Sequence, residues 1–304
     1  MRWYVAIVFH LLRLTGRLPL SVLHRTGAGL GRVLWWSRGR LRRHTDINLS
    51  LVLTQYDEEQ RQRTSKRTLI ETGKSITEIA KIWGGGAQKA LALVREVENE
   101  ALFTAALASR QGLIIAAPHL GCWELLNLWL CSRTSLAIVY RAPRYAEIEP
   151  LLIAARGELK PEQVRAEGAG VRTLYKRLQS GGVVGILPDQ QPKQGDGEFA
   201  PFFGVQALTM VLVSRLAQRT GATVLFAFAE RLPGGMGFRI RFRAAPTGIA
   251  DTHLPTAVTA LNAGVEACVN LAFEQYQWHY KRYQYRPSPE QRNPYSRRNL
   301  TKKP

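Results

Sequence analysis

Acidic residues are scarce in this chain of 304 residues: 23 stand against 42 basic ones, for a formal net charge of +19. The first 45 residues contain none at all, beside nine arginines. A surplus of that size points to anionic partners, whether nucleic acid, an anionic lipid surface, a phosphorylated lipid or an acidic protein. Lysine is scarce too, with 10 residues against 32 arginines. Arginine's planar fork suits phosphate and carboxylate better than a lysine does. Cysteine is limited to Cys122, Cys131 and Cys268, with no CxxC pair. The odd count excludes a disulfide scaffold and fits a reducing compartment. His119 and Cys122 have no second pair at metal spacing, so a zinc site is not expected. Long apolar runs are missing from the N-terminus, where the longest stretch without Arg, Lys, Asp or Glu is Trp3 to Leu12. That is well short of the ~20 residues of a spanning helix, and no small-residue cleavage site of a signal peptide follows.

What is there begins with a helical stripe, Trp3, Ile7, Leu11, Leu14 and Leu18, with Arg13 and Arg17 on another face. This suits an amphipathic helix lying in a membrane interface. Pro19 breaks it, and a second helix is expected from about Ser21 to Trp36, where Trp35 and Trp36 stand among the arginines. Asp57 caps a long helix that ends at Gly84-Gly85-Gly86. TGKS (72–75) looks like the tail of a phosphate-binding loop, but it falls in mid-helix and residue 68 is Thr where that motif needs Gly.

From about Leu91 the texture changes to alternating strands and helices. Strands are expected at 91–97, 113–117, 135–141, 183–187, 223–230 and 238–243, and helices at 100–110, 146–159, 171–179, from Thr209 to 219, and 255–276. Residues 188–207 read as a loop, and the Pro-rich tail after Arg286 as loosely held. With 45% hydrophobic residues, the chain suffices for one large α/β domain with a mostly parallel sheet flanked by helices. The expected division is an N-terminal membrane-associated helical segment (1–45), the α/β domain (46–290) and a basic tail (291–304).

The stretch carrying the chemistry is GLIIAAPHLGCWELL (112–126), a buried strand, a tight turn and a helix. His119 stands where the strand ends, and Glu124 in the first turn of the helix. The imidazole can fold back onto that carboxylate, which would fix its tautomer and leave a general base where α/β sheets usually keep their sites. Downstream lie VYR (139–141), Arg156, GVVGILPDQQP (182–192) and GEFAPFFG (197–204).

Taken together, and over most of the chain through WHYKRYQYRP (278–287), these segments resemble the late acyltransferases of lipid A biosynthesis, the lauroyl and myristoyl transferases of Gram-negative bacteria. The resemblance implies a fold like that of the glycerolipid acyltransferases. It makes His119 and Glu124 the family's His-x-x-x-x-acidic pair, with direct transfer and no acyl-enzyme, so Cys122 is a small core residue. Arg141 or Arg156 would hold the lipid phosphate or the developing oxyanion. Asp189 would position an arginine or the acceptor. Phe202 and Phe203 would line the acyl groove or anchor their loop. Trp278, His279, Lys281 and Arg282 would be interfacial or structural. The implied donor is an acyl chain on acyl carrier protein, an acidic partner that the basic surface attracts. The implied acceptor is a phosphorylated, Kdo-bearing lipid A precursor at the cytoplasmic face of the bacterial inner membrane, among anionic lipids. Two rivals stand beside this reading: an acyltransferase for another glycolipid or phospholipid, and a basic nucleic-acid-binding protein. The second explains neither the arginines beside an apolar stripe nor HLGCWE at a strand end, and no nucleic-acid partner is expected.

Overall fold

A computed structural model describes residues 3–140, 161–165 and 168–296, with side chains from His10 onward. Four helices come first: α1 (Trp3–Gly16), α2 (Leu20–Trp36), α3 (Arg40–Val52) and α4 (Glu58–Gly84). Helix α4 starts where the Asp57 carboxylate accepts from the Gln60 backbone N–H and the Gln60 side chain accepts from that of Asp57, a capping box. Helix α2 crosses α4 backbone to backbone. A Cβ on Gly73 would lie 2.1 Å from the Gly27 carbonyl oxygen, and one on Gly31 2.3 Å from that of Leu69. TGKS therefore marks a helix crossing, and Gly73 is there for closeness. Helix α3 had no clear signature in the sequence, and residue 45 falls inside it.

The seven-stranded sheet comprises β1 (Val94–Glu98), β2 (Leu113–Ala116), β3 (Leu136–Tyr140), β4 (Glu162–Arg165), β5 (Val183–Ile186), β8 (Thr223–Arg231) and β9 (Phe238–Ala244). Their order is β1-β9-β8-β2-β5-β3-β4. Strands β8, β2, β5, β3 and β4 are parallel. Strand β9 returns antiparallel to β8 and carries β1 in parallel at the edge. The mostly parallel α/β sheet expected from the sequence is thus present.

Central strands of such a sheet are covered on both faces, which is why LIIA and VVGI are continuous apolar runs. Leu113 and Ile115 of β2 join one core with α6 (Glu100–Ser109) and α7 (Trp123–Arg133). Ile114 and Ala116 join the other, with α8 (Ala169–Gln179), α9 (Leu212–Thr220) and α10 (Leu254–Leu271). A short α5 (Ala87–Leu91) precedes β1.

Several expectations are corrected. Residues 188–207 are not a plain loop: β6 (Gly197–Phe202) and β7 (Val205–Met210) form an antiparallel hairpin. Thr209 is a buried member of β7 bonded to Asn262 and Arg282, and α9 begins at Leu212. The last long helix stops at Leu271. On β9, Arg239 pairs with Glu96 at 2.7 Å, and Arg241 with Glu98 and with Glu230 at 2.8 Å. The tail is held as far as Tyr295, which is 5% exposed and bonds through its hydroxyl to Asn48 and through its carbonyl to Arg43.

No helix among the described residues is long and apolar enough to cross a membrane. Of the eleven large apolar side chains that remain exposed there, six lie between Leu11 and Trp36: Leu11, Leu14, Leu18, Leu30, Val33 and Trp36, the last at 72%.

Candidate active site

The site follows from register. Strands β2 and β5 run parallel with Ala116 opposite Ile186. Each leaves the sheet through one apolar residue and a proline, Ala117-Pro118 and Leu187-Pro188, and the Ala117 N–H donates the last rung to the Ile186 carbonyl. Proline has no N–H to continue the ladder. The next residues, three past the paired positions, are His119 and Asp189. They are thereby delivered side by side at the carboxyl edge of the sheet.

Both oxygens of Asp189 are taken by His119. The backbone N–H donates to Oδ2 at 3.0 Å, and the ring Nδ1–H to Oδ1 at 2.8 Å. Asp189 is 3% exposed. Burial opposes its charge, yet the His119 charge and its two hydrogen bonds outweigh that and hold the carboxyl below its ordinary range. An ionised partner on Nδ1 leaves the Nε2 lone pair facing outward. There the Gln190 amide donates to it at 3.2 Å, while also donating to Gln277 Oε1 at 3.1 Å.

The His119 loop is pinned from two sides. Gly121 has φ +62° and bridges to Ala229 of β8. A Cβ there would lie 2.0 Å from the Ala229 carbonyl oxygen, so only glycine fits. On the other side, Leu120 bridges to Tyr276, and the Gln277 N–H donates to the His119 carbonyl at 3.1 Å. The Trp123 ring stands 5.4 Å from the imidazole.

The sequence paired His119 with Glu124, whereas the carboxylate on Nδ1 is that of Asp189. Glu124 is buried in the first turn of α7, beside Cys122, Ile79, Ile82 and Glu78 around a small apolar hollow under α4. The parallel neighbour strand brings Asp189 to the sheet edge in register. Burial, then the charge of Glu78, pushes the Cys122 thiol well above its ordinary value, so the reactive thiolate is suppressed.

Arg141 and Arg156 lie outside the described residues, as does the helix expected over 146–159. Strand β3, which leads to Arg141, lies beside β5. Phe202 is a fully buried core ring against Tyr276 and Tyr283. Phe203 lines an open cleft of about 620 Å³ with Tyr56, Arg67 and Phe273. Trp278 and Arg282 are buried, and Arg282 donates to the Leu208 carbonyl at 2.5 Å and to Thr209 Oγ1 at 2.6 Å. Their place is structural. Gln190 and Gln277 were not singled out from the sequence. The signal that could have found the Asp189 pairing is the repeated strand-x-Pro-polar ending of two four-residue apolar runs.

An imidazole whose Nδ1 is held by a buried carboxylate at the edge of an α/β sheet is an arrangement that can serve as a general base. The chain belongs to the bacterial lipid A biosynthesis acyltransferase family, whose model matches residues 1–285. It is 24% identical over 288 residues to the lipid A biosynthesis lauroyltransferase of Escherichia coli K12, covering 94% of this chain and 92% of that one. Identity to the lipid A biosynthesis palmitoleoyltransferase of the same organism is 24% over 281 residues, covering 90% and 89%. A phosphatidylinositol mannoside acyltransferase of Mycobacterium tuberculosis H37Rv is 29% identical over 152 residues, 45% of this chain and 44% of that one.

Proposed function

We propose that the protein transfers a fatty acyl chain from acyl carrier protein to a hydroxyl of a phosphorylated, Kdo-bearing lipid A precursor. The observation that carries the mechanism is the double contact of His119 with Asp189. The acceptor hydroxyl binds at Nε2 in place of the Gln190 amide. Its oxygen attacks the thioester carbonyl as Nε2 takes its proton, and Asp189 stabilises the imidazolium. The tetrahedral intermediate collapses, the C–S bond breaks, and the imidazolium returns the proton to the leaving thiolate. Arg141 or Arg156 is assigned the oxyanion or the lipid phosphate. Glu124, the acidic residue of the family motif, is assigned to shaping the same loop from the helix side.

The work is placed at the cytoplasmic face of the bacterial inner membrane. The exposed apolar residues of α1 and α2 among nine arginines support an interfacial contact with anionic lipids. A second reading, transfer to another membrane glycolipid, draws support from the partial likeness to the phosphatidylinositol mannoside enzyme.

The test is transfer from acyl carrier protein to the Kdo-bearing precursor. His119→Ala and Asp189→Asn should each lose about 10²–10⁴-fold in turnover while remaining folded. Activity within a few-fold of wild type for His119→Ala would sink the mechanism. If Glu124→Gln loses more than Asp189→Asn in folded protein, the orienting role returns to Glu124.

A further inference from the structure

Beyond Nε2 of His119 opens a cleft of about 330 Å³, at the lower end of the ~300–1,000 Å³ typical of small-molecule sites. It is continuous with the base: Gln190, whose amide covers Nε2, lines it, as does Gln277, whose backbone holds the His119 loop. Its remaining walls are the side chains of Gln191, His279, Lys281 and His44, with Tyr280 and Gln284 completing them. Four amides, two imidazoles, a phenol and an ammonium line it, with no carboxylate among the described residues. Such a wall suits hydroxyl groups and an anion.

Two of these groups lack the partner that burial demands. Gln191 is 6% exposed, its backbone N–H is bonded to the Tyr280 hydroxyl, and its Nε2 has no partner among the described residues. The same holds for Nδ1 of His279. Buried polar atoms without partners are rare, because an unmade hydrogen bond away from water is costly, and a bound ligand is one explanation for them. Lys281 makes no ion pair among the described residues. The charges that bear on His44, after burial, are those of Lys281, Arg43 and Arg40, all of one sign.

We propose that this cleft is the acceptor's headgroup subsite and binds an anionic sugar, with Lys281 meeting the anion, Gln191 and His279 meeting ring oxygens, and Gln190 released from Nε2 as the reacting hydroxyl arrives. The assignment of an acceptor rests on the acyl-transfer reading above, whereas the binding of an anionic sugar does not. The anion can be a phosphate or a sugar carboxylate, and the test separates them.

Full-length protein in detergent is titrated calorimetrically with glucose 1-phosphate, glucuronate and glucose, for wild type, Lys281→Ala and Gln191→Leu. Thermal melts establish that each variant is folded. The expected result is that one or both charged sugars bind at least about tenfold more tightly than glucose. Lys281→Ala and Gln191→Leu should each weaken that binding about tenfold, the worth of one hydrogen bond to a charged group. Should Gln191→Leu fail to fold, Lys281→Ala decides alone. Absence of binding at millimolar concentration, equal binding of glucose, or affinity unaltered in folded Lys281→Ala overturns the subsite. Sugar binding without any acyl transfer by wild type overturns the proposed reaction and leaves the subsite standing.

Discussion

At Asp189 a single residue sets two properties of its neighbour, the tautomer of the ring and the path of the loop, because it accepts from Nδ1 and from the backbone N–H together. Its folded-state pKa lies below the unfolded value, so its stabilisation is fully present above about pH 3.9 and is lost as pH falls through the lower folded value. His279 titrates in an earlier window. Burial first, then the charges of His44 and His119, lower it from 6.5 to about 4. The neutral ring therefore contributes fully above about pH 6.5, and the contribution drains away as pH falls toward about 4. His279→Gln should flatten the fall of melting temperature across that upper window, and Asp189→Asn should flatten it only below. Calorimetric scans over pH check both, and an unchanged slope for His279→Gln would refute the assignment. Cys122→Ala should retain substantial activity, and an acyl group trapped on Cys122 would replace direct transfer by a two-step route. At this scale the sequence made His119 legible, because a histidine after an apolar run and a proline has few other readings. It paired the ring with Glu124 and gave Asp189 another role in the site, because the carboxylate found on Nδ1 arrives from a strand 70 residues away. Sequence distance conceals what a parallel register brings together.

Between elements, the firmest tie is a buried ionic cluster at the carboxyl end of β8. Arg231 donates to both oxygens of Glu78, to Glu71 at 2.7 Å and to Ser75 at 2.8 Å, and His24 of α2 bonds Glu78 at 2.6 Å. This couples α2 and α4 to the edge of the sheet two residues past Ala229, where the His119 loop is pinned. Removing one partner strands a buried charge. Glu78→Gln should cost about 3–5 kcal/mol in chemical denaturation, and a loss under ~1 kcal/mol would show that water reaches the cluster. Gly73→Leu should act on the same joint sterically, forcing α2 off α4, and should lower the melting temperature more than Gly29→Ala, where a Cβ meets open space. The strands and α4 were legible because their periodicity and caps are local. Helix α3 and the β6–β7 hairpin were not, since α3 starts after Gly39 with no side-chain cap and the hairpin's Pro, Gly and paired phenylalanines imitate a loop.

Over the whole molecule, the apolar and arginine-rich surface of α1 and α2 should lie against lipid. Deleting residues 2–18 should release much of the protein from anionic vesicles, and high salt alone should strip the full-length chain only in part, because screening spares the buried apolar contact. Complete release by salt would mean that nothing inserts. At the other end, the segment from Gln275 to Tyr295 runs beside the His119 loop and is then laced to Asn48 and Arg43 near the start of the chain. Residues far along the chain are therefore among those that finish the site. A protein cut before Tyr276 would lack both the bridge to Leu120 and the hydrogen bond to the His119 carbonyl. Truncation after Leu271 should yield a protein that binds membranes yet turns over nothing.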